Sequence, residues 1–191
     1  MTLNLITCLF RSGNLAKIKA SIPDHPDINW IIVLSKHRSD LIKECNDLNL
    51  PFLTIDEPDP DIASVATSNA SVKVNKAISC LKPGYFQGLD DDTIFNPNAY
   101  WAFKKLQDYK MIIGSQKLQD GTLRIAQPPR ACYTDGAQAI IHTEIVEQVF
   151  FGSFTTNPVA DYNFLQECWL MTNPTERTIL NEVISNYNFL R

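Results

Sequence analysis

The sequence predicts a three-layer α/β/α domain around a mainly parallel, partly mixed sheet, and three observations carry that expectation. Short apolar, β-branched runs alternate with helix-patterned stretches through residues 1–107, as parallel strands joined by crossover helices require. Of the 191 residues, 45% are hydrophobic and 20% charged, which is the make-up of a globular chain with a sizeable core. Beyond residue 108 the pattern changes to a hairpin signal, one more strand and terminal helices, with no linker between the halves, so a single domain spanning 1–191 is expected.

Each element has a local reason. Leu3–Phe10 is a short apolar run, followed by Arg11-Ser12-Gly13-Asn14 and a helix to about Ala20. Ile28–Leu34 is continuous and β-branched, as a strand buried on both faces should be. Ser39 or Asp40 can cap a helix that places Leu41, Ile42, Cys45 and Leu48 on one face. Pro51–Ile55 reads as a third strand, and the proline- and acid-rich Asp56–Asp61 as a surface loop. A helix is expected from Ser68 to Leu81, stopped by Pro83-Gly84. Tyr85–Leu89 is a fourth strand ending in Asp90-Asp91-Asp92, and Asn96-Pro97 opens a helix to about Gln107. Asp120-Gly121 joins Met111–Leu118 to Thr122–Ala126 as a hairpin. Ala137–His142 is a strand, Glu144–Phe150 a short helix, and Asp161–Met171 and Glu176–Tyr187 are expected to be helical. The last rests on Ile179, Leu180, Val183, Ile184 and Tyr187 at helix spacing.

Composition also narrows the function classes. A net charge of −4 disfavours a general nucleic-acid binder. No run is long and apolar enough for a membrane span. The Met1–Leu5 segment lacks a basic leader and reads as a strand. Five widely spaced cysteines without a C-x-x-C disfavour a disulfide scaffold or structural zinc site and suggest reduced thiols in the cytoplasm.

The acidic triplet is the strongest chemical signal. It leaves the carboxyl end of a strand, where open α/β sheets bind ligands. Asp90 and Asp92 are separated by one residue and point the same way if strand geometry persists. Two convergent carboxylates call for a cation between them, and Mg²⁺ or Mn²⁺ with a diphosphate suits their hard oxygens. A solvated polar turn is the plain alternative. An EF-hand loop would need glycine where Phe95 stands, and a haloacid-dehalogenase motif threonine where Ile94 stands. The G-x-G-x-x-G and P-loop motifs are absent.

This pattern resembles the GT-A glycosyltransferases, which use nucleotide-sugar donors. The D-x-D after the fourth strand is Asp90-Asp91-Asp92, and Ser71–Ala77 is similar to the family's patch on the preceding helix. Downstream, Asp135–His142, Glu144–Phe150, Gly152-Ser153-Phe154 and Ala160-Asp161-Tyr162 follow the family's order. The second strand ends Val33-Leu34-Ser35-Lys36 in place of Asp-Asp-Gly-Ser, so base recognition must differ. Ala160 replaces the Glu of the "ED" helix start, and the Q-x-x-R-W signature of processive synthases is absent, which implies single-sugar transfer.

The resemblance implies a Mn²⁺- or Mg²⁺-dependent transferase. It would move one sugar from a UDP- or GDP-linked donor, bound by the 1–107 half, to a saccharide or glycan hydroxyl on the 108–191 half. Asp92 is then the first metal ligand, with Asp90 on the metal or ribose and Asp91 in the donor site. Arg11 would stack on the base or pair with phosphate, Lys73 and Lys76 would face the donor, and Asp56 would bind base or ribose. Asp161 is the implied base of an inverting displacement; a helix N-cap is its plain alternative. A nucleotidyltransferase of similar topology and a non-catalytic nucleotide- or sugar-binding module are the competing readings.

Overall fold

The computed structural model describes residues 1–59, 69–131, 133–149, 160–187 and 189–190. The expected helix start at Ser68, Pro60-Asp61, Cys132, Phe150 and the Gly152-Ser153-Phe154 segment lie outside the described residues. Among those described, nine strands form one sheet: β1 (Thr2–Cys8), β2 (Ile28–Ser35), β3 (Phe52–Ile55), β4 (Gly84–Gly88), β5 (Ile94–Phe95), β6 (Met111–Leu118), β7 (Leu123–Arg124), β8 (Ala139–His142) and β9 (Arg177–Tyr187). The helices are α1 (Leu15–Ser21), α2 (Ser39–Asp47), α3 (Ala70–Ile78), α4 (Pro97–Lys105), α5 (Thr143–Val146) and α6 (Ala160–Met171).

The strand order is β3-β2-β1-β4-β8-β6-β9-β5, with β7 hairpinned onto β6. β1 lies parallel between β2 and β4, so Leu5 faces Trp30 on one side and Gln87 on the other. β8 runs antiparallel to both β4 and β6, and β9 runs parallel to β6. β1, β2, β3, β4, β6 and β9 therefore end at one edge of the sheet, and β8 starts there. Every loop that carries the site leaves from that edge.

Helices cover both faces. Ile6, Val33, Phe86, Ile113 and Ile141 pack against Ala77 of α3, Val146 of α5 and Phe164, Leu165 and Cys168 of α6. On the opposite face, Leu5, Tyr85, Ile112 and Ile140 pack with Ile18 of α1 and Phe103 of α4. Ile32 and Leu34 meet Leu41 and Cys45 of α2. Cys8, Cys45, Cys80 and Cys168 are free thiols.

The segment expected to form a terminal helix, Glu176–Tyr187, is corrected by the structure: Arg177–Tyr187 is strand β9. The helix-like spacing has a physical origin in irregular pairing. Ile113 faces Ile179 and Ser115 faces Val183, so β9 advances four residues while β6 advances two. These extra residues break the two-residue alternation that marks a strand. The bulged stretch also wraps Ile184 over Gly114, where a Cβ would lie 2.6 Å from Ile184 Cγ1.

Gly84 begins β4 at φ +150°, and a Cβ there would stand 2.0 Å from the Thr2 carbonyl oxygen. Gly84→Ala forces the β1–β4 pair apart, and is expected to cost roughly 2 kcal/mol or more in stability. Chemical denaturation checks this; an unchanged midpoint and slope would contradict the register.

Candidate active site

The loop after β1 is fastened to the acidic triplet through its backbone. Asp91 Oδ2 accepts from the Phe10 and Arg11 amides, each at 2.8 Å, and Asp91 Oδ1 accepts from the Arg11 guanidinium at 2.7 Å. The same guanidinium nitrogen donates to Asp92 Oδ2 at 2.7 Å. The triplet's carbonyls are also held: Asp90's accepts from the Thr93 amide, Asp91's from Asn14 Nδ2, and Asp92's from the Leu190 amide. Asp91 and Asp92 are buried, whereas Asp90 faces solvent. Burial pushes the Asp91 carboxyl up even against the Arg11 charge and its two amide donors.

Two further acids meet Asp90. Asp135 caps a short 3₁₀ turn, Gly136–Gln138: its Oδ1 accepts from the Ala137 amide, and Gln138 Oε1 accepts from the Asp135 amide. This turn reaches the end of β4 because Gly88 has no side chain; a Cβ there would sit 3.2 Å from the Gly136 carbonyl carbon. On the turn's other side, Asp161 Oδ1 lies 3.9 Å from where a Gly136 Cβ would be. Gly88 thus lets the Asp135 turn close on β4, and Asp161 stands in ordinary contact on the turn's far side.

The electrostatic consequence is large. Desolvation, then the charges of Asp135, Asp161, Asp92 and Asp91, lift the Asp90 carboxyl well above the carboxylate range. Asp90 is nevertheless exposed, so water softens the desolvation and the repulsion from its neighbours is what the site depends on. Desolvation and the Asp135 charge push Asp161 up to about 7. Desolvation raises Asp135 too, opposed by the Ala137 amide, Gln116 and Arg124.

Cations gather beside the acids, on the β1–β3 side. Arg38 donates to the Phe10 carbonyl at 2.7 Å and to Asp59 Oδ2 at 3.1 Å. Lys73 is fully buried, donating to the Leu9 carbonyl at 2.8 Å and Asp59 Oδ1 at 2.7 Å, with its ammonium 3.4 Å from the Phe10 ring centroid. Burial lowers the Lys73 pKa, and the Asp59 carboxylate only partly offsets this.

The structure therefore brings Arg11, Asp90, Asp91, Asp92 and Asp161 together. The Lys73 ammonium, expected to face the donor, fastens the β1 loop to Asp59. Lys76 and Asp56 stand apart from the acids. Both line an exposed depression with Thr54, Glu57, Val72 and Asn75, and Asp56 pairs with Lys36 at 2.9 Å. Sequence reasoning missed Asp135, Asp59 and Arg38 as members of the site. Asp135 carried a readable signal, the capping-box spacing to Gln138; Asp59 and Arg38 carried none. His142 is structural, its Nδ1 accepting from the Glu144 amide and its ring edge-on to Tyr85. A separate depression of about 440 Å³ between α4 and β9, lined by Trp101, Leu106 and Leu180, holds none of the acids.

The donor set fits a hard divalent cation in one particular way. Among the described residues, no three His, Cys, Asp or Glu side chains form a complete cage. Asp90 and Asp92 offer one or two carboxylates, so water and a ligand's phosphate oxygens would complete the shell, the usual mode for Mg²⁺-like ions.

The fold is that of the GT-A glycosyltransferases. TarS of S. aureus, residues 1–349 in complex with UDP-GlcNAc, superposes with a TM-score of 0.69 at 13% identity, covering 97% of this chain and 58% of that one. A mannosyltransferase of Pyrobaculum calidifontis, in complex with GDP-Man and Mn²⁺, gives 0.63 at 11% identity, covering 97% and 56%. Glucosyl-3-phosphoglycerate synthase of Mycobacterium tuberculosis, in complex with Mn²⁺, UDP and glucosyl-3-phosphoglycerate, gives 0.64 at 11%, covering 96% and 71%. The chain thus spans a little under 60% of the length of the first two. No protein-family model and no curated protein matches the sequence. No helix among the described residues is long and apolar enough to cross a membrane.

Asp161 gives a pH test of this geometry. A carboxyl whose pKa is raised on folding, here to about 7, favours the protonated folded state, so its contribution to stability is lost as pH rises from about 4 to about 7. Asp161→Asn removes that loss. Relative to wild type, the metal-free variant is expected to gain stability between pH 5 and pH 8, read by thermal melts; a difference independent of pH would contradict the carboxylate cluster.

Proposed function

We infer that this chain is a metal-dependent glycosyltransferase that moves one sugar from a nucleoside-diphosphate sugar to an acceptor hydroxyl. The observation that carries this reading is the convergence of Asp90, Asp135 and Asp161 at the carboxyl edge of a GT-A sheet, beside the Arg11-clamped Asp91-Asp92 pair. Such a concentration of acids suits a divalent ion and a diphosphate. UDP-GlcNAc, GDP-Man and UDP occur in the similar structures, two of them with Mn²⁺, which supports a UDP- or GDP-linked donor here.

Asp90 and Asp92 would hold Mn²⁺ or Mg²⁺, with Asp90 the more open of the two because Arg11 occupies Asp92 Oδ2. Bound there, the ion would neutralise the diphosphate as a leaving group. Asp91 is the clamp that keeps Arg11 and the β1 loop at the nucleotide. Asp161 takes the proton from the acceptor hydroxyl as its oxygen attacks the anomeric carbon, and the glycosidic C–O electron pair leaves on the diphosphate. A pKa near 7 places Asp161 where a general base works well. A single displacement inverts the anomeric configuration.

Calorimetry with UDP and GDP tests the donor site. Mn²⁺ is expected to tighten nucleoside-diphosphate binding by about tenfold or more, and Asp90→Asn with Asp92→Asn to abolish that gain. Equal affinity in Mn²⁺ and in EDTA would overturn the metal assignment. With a turning-over donor, Asp161→Asn should keep nucleotide affinity and lose roughly 10²-fold in rate. Near-normal turnover would leave Asp161 as a helix-start residue, and a product of retained configuration would refute the single displacement.

A further inference from the structure

Arg124 occupies the other flank of the acids. β6 ends at the same sheet edge as β4, and its Gln116 links two charged groups: Gln116 Nε2 donates to Asp135 Oδ1 at 3.2 Å, and Gln116 Oε1 accepts from Arg124 Nη1 at 2.9 Å. Gln116 is fully buried, so this relay has a fixed length. The Arg124 guanidinium also lies 5.0 Å from the centroid of the Tyr187 ring, on the last residue of β9. Its charge reaches Asp135, whose carboxyl it pulls down.

Arg124 differs from the other arginines and buried lysine around the site. Arg11, Arg38 and Lys73 are each paired with a carboxylate. Arg124 is held by a neutral amide and an aromatic ring, and no described carboxylate forms an ion pair with it. Four of its five N–H donors have no hydrogen-bond partner among the described residues. It opens onto a depression of about 280 Å³ lined by Leu118, Gln119, Asp120 and Tyr187. Asp120 is turned to its own hairpin, accepting from the Thr122 amide at 2.8 Å. A planar fork with free donors, positioned by neutral partners, suits a phosphate or carboxylate.

Its location says which substrate brings that anion. In the strand order, Arg11, Arg38 and Lys73 flank the acids from β1–β3, whereas Arg124 flanks them from β6, β7 and β9. The donor diphosphate belongs with Arg11 and the triplet. The opposite flank, next to Asp135 and Asp161, is where a hydroxyl must stand to be deprotonated. Resting on the glycosyltransferase reading above, we propose that Arg124 binds an anionic group of the acceptor, so that the acceptor is a small hydroxyl compound bearing a phosphate or carboxylate. The neutral Gln116 amide lies between Arg124 and Asp135 and so keeps that anion apart from the Asp135 carboxylate.

The test uses glycerol 3-phosphate, glycerate and uncharged glycerol as probes, with the full chain saturated with UDP or GDP and Mn²⁺. Calorimetry or NMR titration is run on wild type, Arg124→Gln, Arg124→Lys and Arg11→Gln. At least one anionic probe is expected to bind wild type and glycerol not to; Arg124→Gln should weaken the anion by about tenfold or more, Arg124→Lys by less, and Arg11→Gln hardly at all. Phosphate binding without glycerate binding assigns the anion to a phosphate, and the reverse to a carboxylate. Undiminished binding in Arg124→Gln, loss only in Arg11→Gln, or no binding of either anion to wild type would overturn the proposal. Nucleoside-diphosphate affinity in the same proteins separates the two readings: it should be unchanged by Arg124→Gln. If it is present while the anion ignores Arg124, the acceptor assignment alone fails. If it is absent from wild type, the transferase reading fails, and with it this proposal.

Discussion

The Asp91 carboxylate is the interaction on which the arrangement of the site depends. It joins the end of β4 to the loop after β1 by accepting two successive backbone amides and the Arg11 guanidinium. Those amides have no strand partner where they lie, and the ionised carboxylate gives both a charge-assisted acceptor at once. The carboxylate therefore sets the loop's path, and the path sets where Arg11 meets Asp92. A second set of bonds steadies the same loop from outside, through Arg38, Lys73 and Glu44, the last accepting from the Gly13 and Leu15 amides. The middle acid of the triplet is thus structural, and it keeps the outer two on station.

Charge at the sheet edge is distributed by strand. Acids occupy the centre, at the end of β4 and the start of β8, with Asp161 brought over from α6. Cations stand on either side. Those on the β1–β3 side are neutralised: Asp59 serves both Arg38 and Lys73. What remains unbalanced is the negative centre itself, visible in the lifted carboxyls of Asp90 and Asp161. A site that stores repulsion among carboxylates favours ligands that bring positive charge, and a metal–diphosphate complex brings both the cation and an anion for Arg11. Gly88, where a Cβ would stand 3.2 Å from the Gly136 carbonyl carbon, lets the Asp135 turn come this close to the end of β4.

Much of this was legible in the sequence, for identifiable reasons. The parallel half announced itself through continuous apolar strands such as Ile28–Ser35 and through the amphipathic stretches between them, because local pattern and buried environment agree there, although the Ser39 or Asp40 cap expected for α2 is not formed: both residues lie inside the helix, which starts after Arg38. Asp90-Asp91-Asp92 was legible because it follows a strand directly. β9 was not: its bulges gave Ile179, Leu180, Val183, Ile184 and Tyr187 the spacing of a helix, and only pairing with β6 reveals the strand. The pairing of Lys73 with Asp59 was not legible because its neighbours on α3 say nothing of a partner fourteen positions away in the chain. The capping-box spacing of Asp135 to Gln138 marks a turn, but its place beside Asp90 and Asp161 comes from tertiary approach, which spacing alone does not encode.

The central claim is that Asp90 and Asp92, held by the Asp91 clamp, take a divalent ion together with a nucleoside diphosphate at this edge of the sheet. A crystal of the full chain grown with Mn²⁺ and UDP or GDP, measured at the manganese absorption edge, tests it most directly. The account predicts one anomalous peak within coordination distance of Asp90 or Asp92 and of the diphosphate oxygens, with Asp161 on the far side of the anomeric position. A nucleotide bound elsewhere, such as the α4–β9 depression, or bound at the triplet with no metal peak, would contradict it.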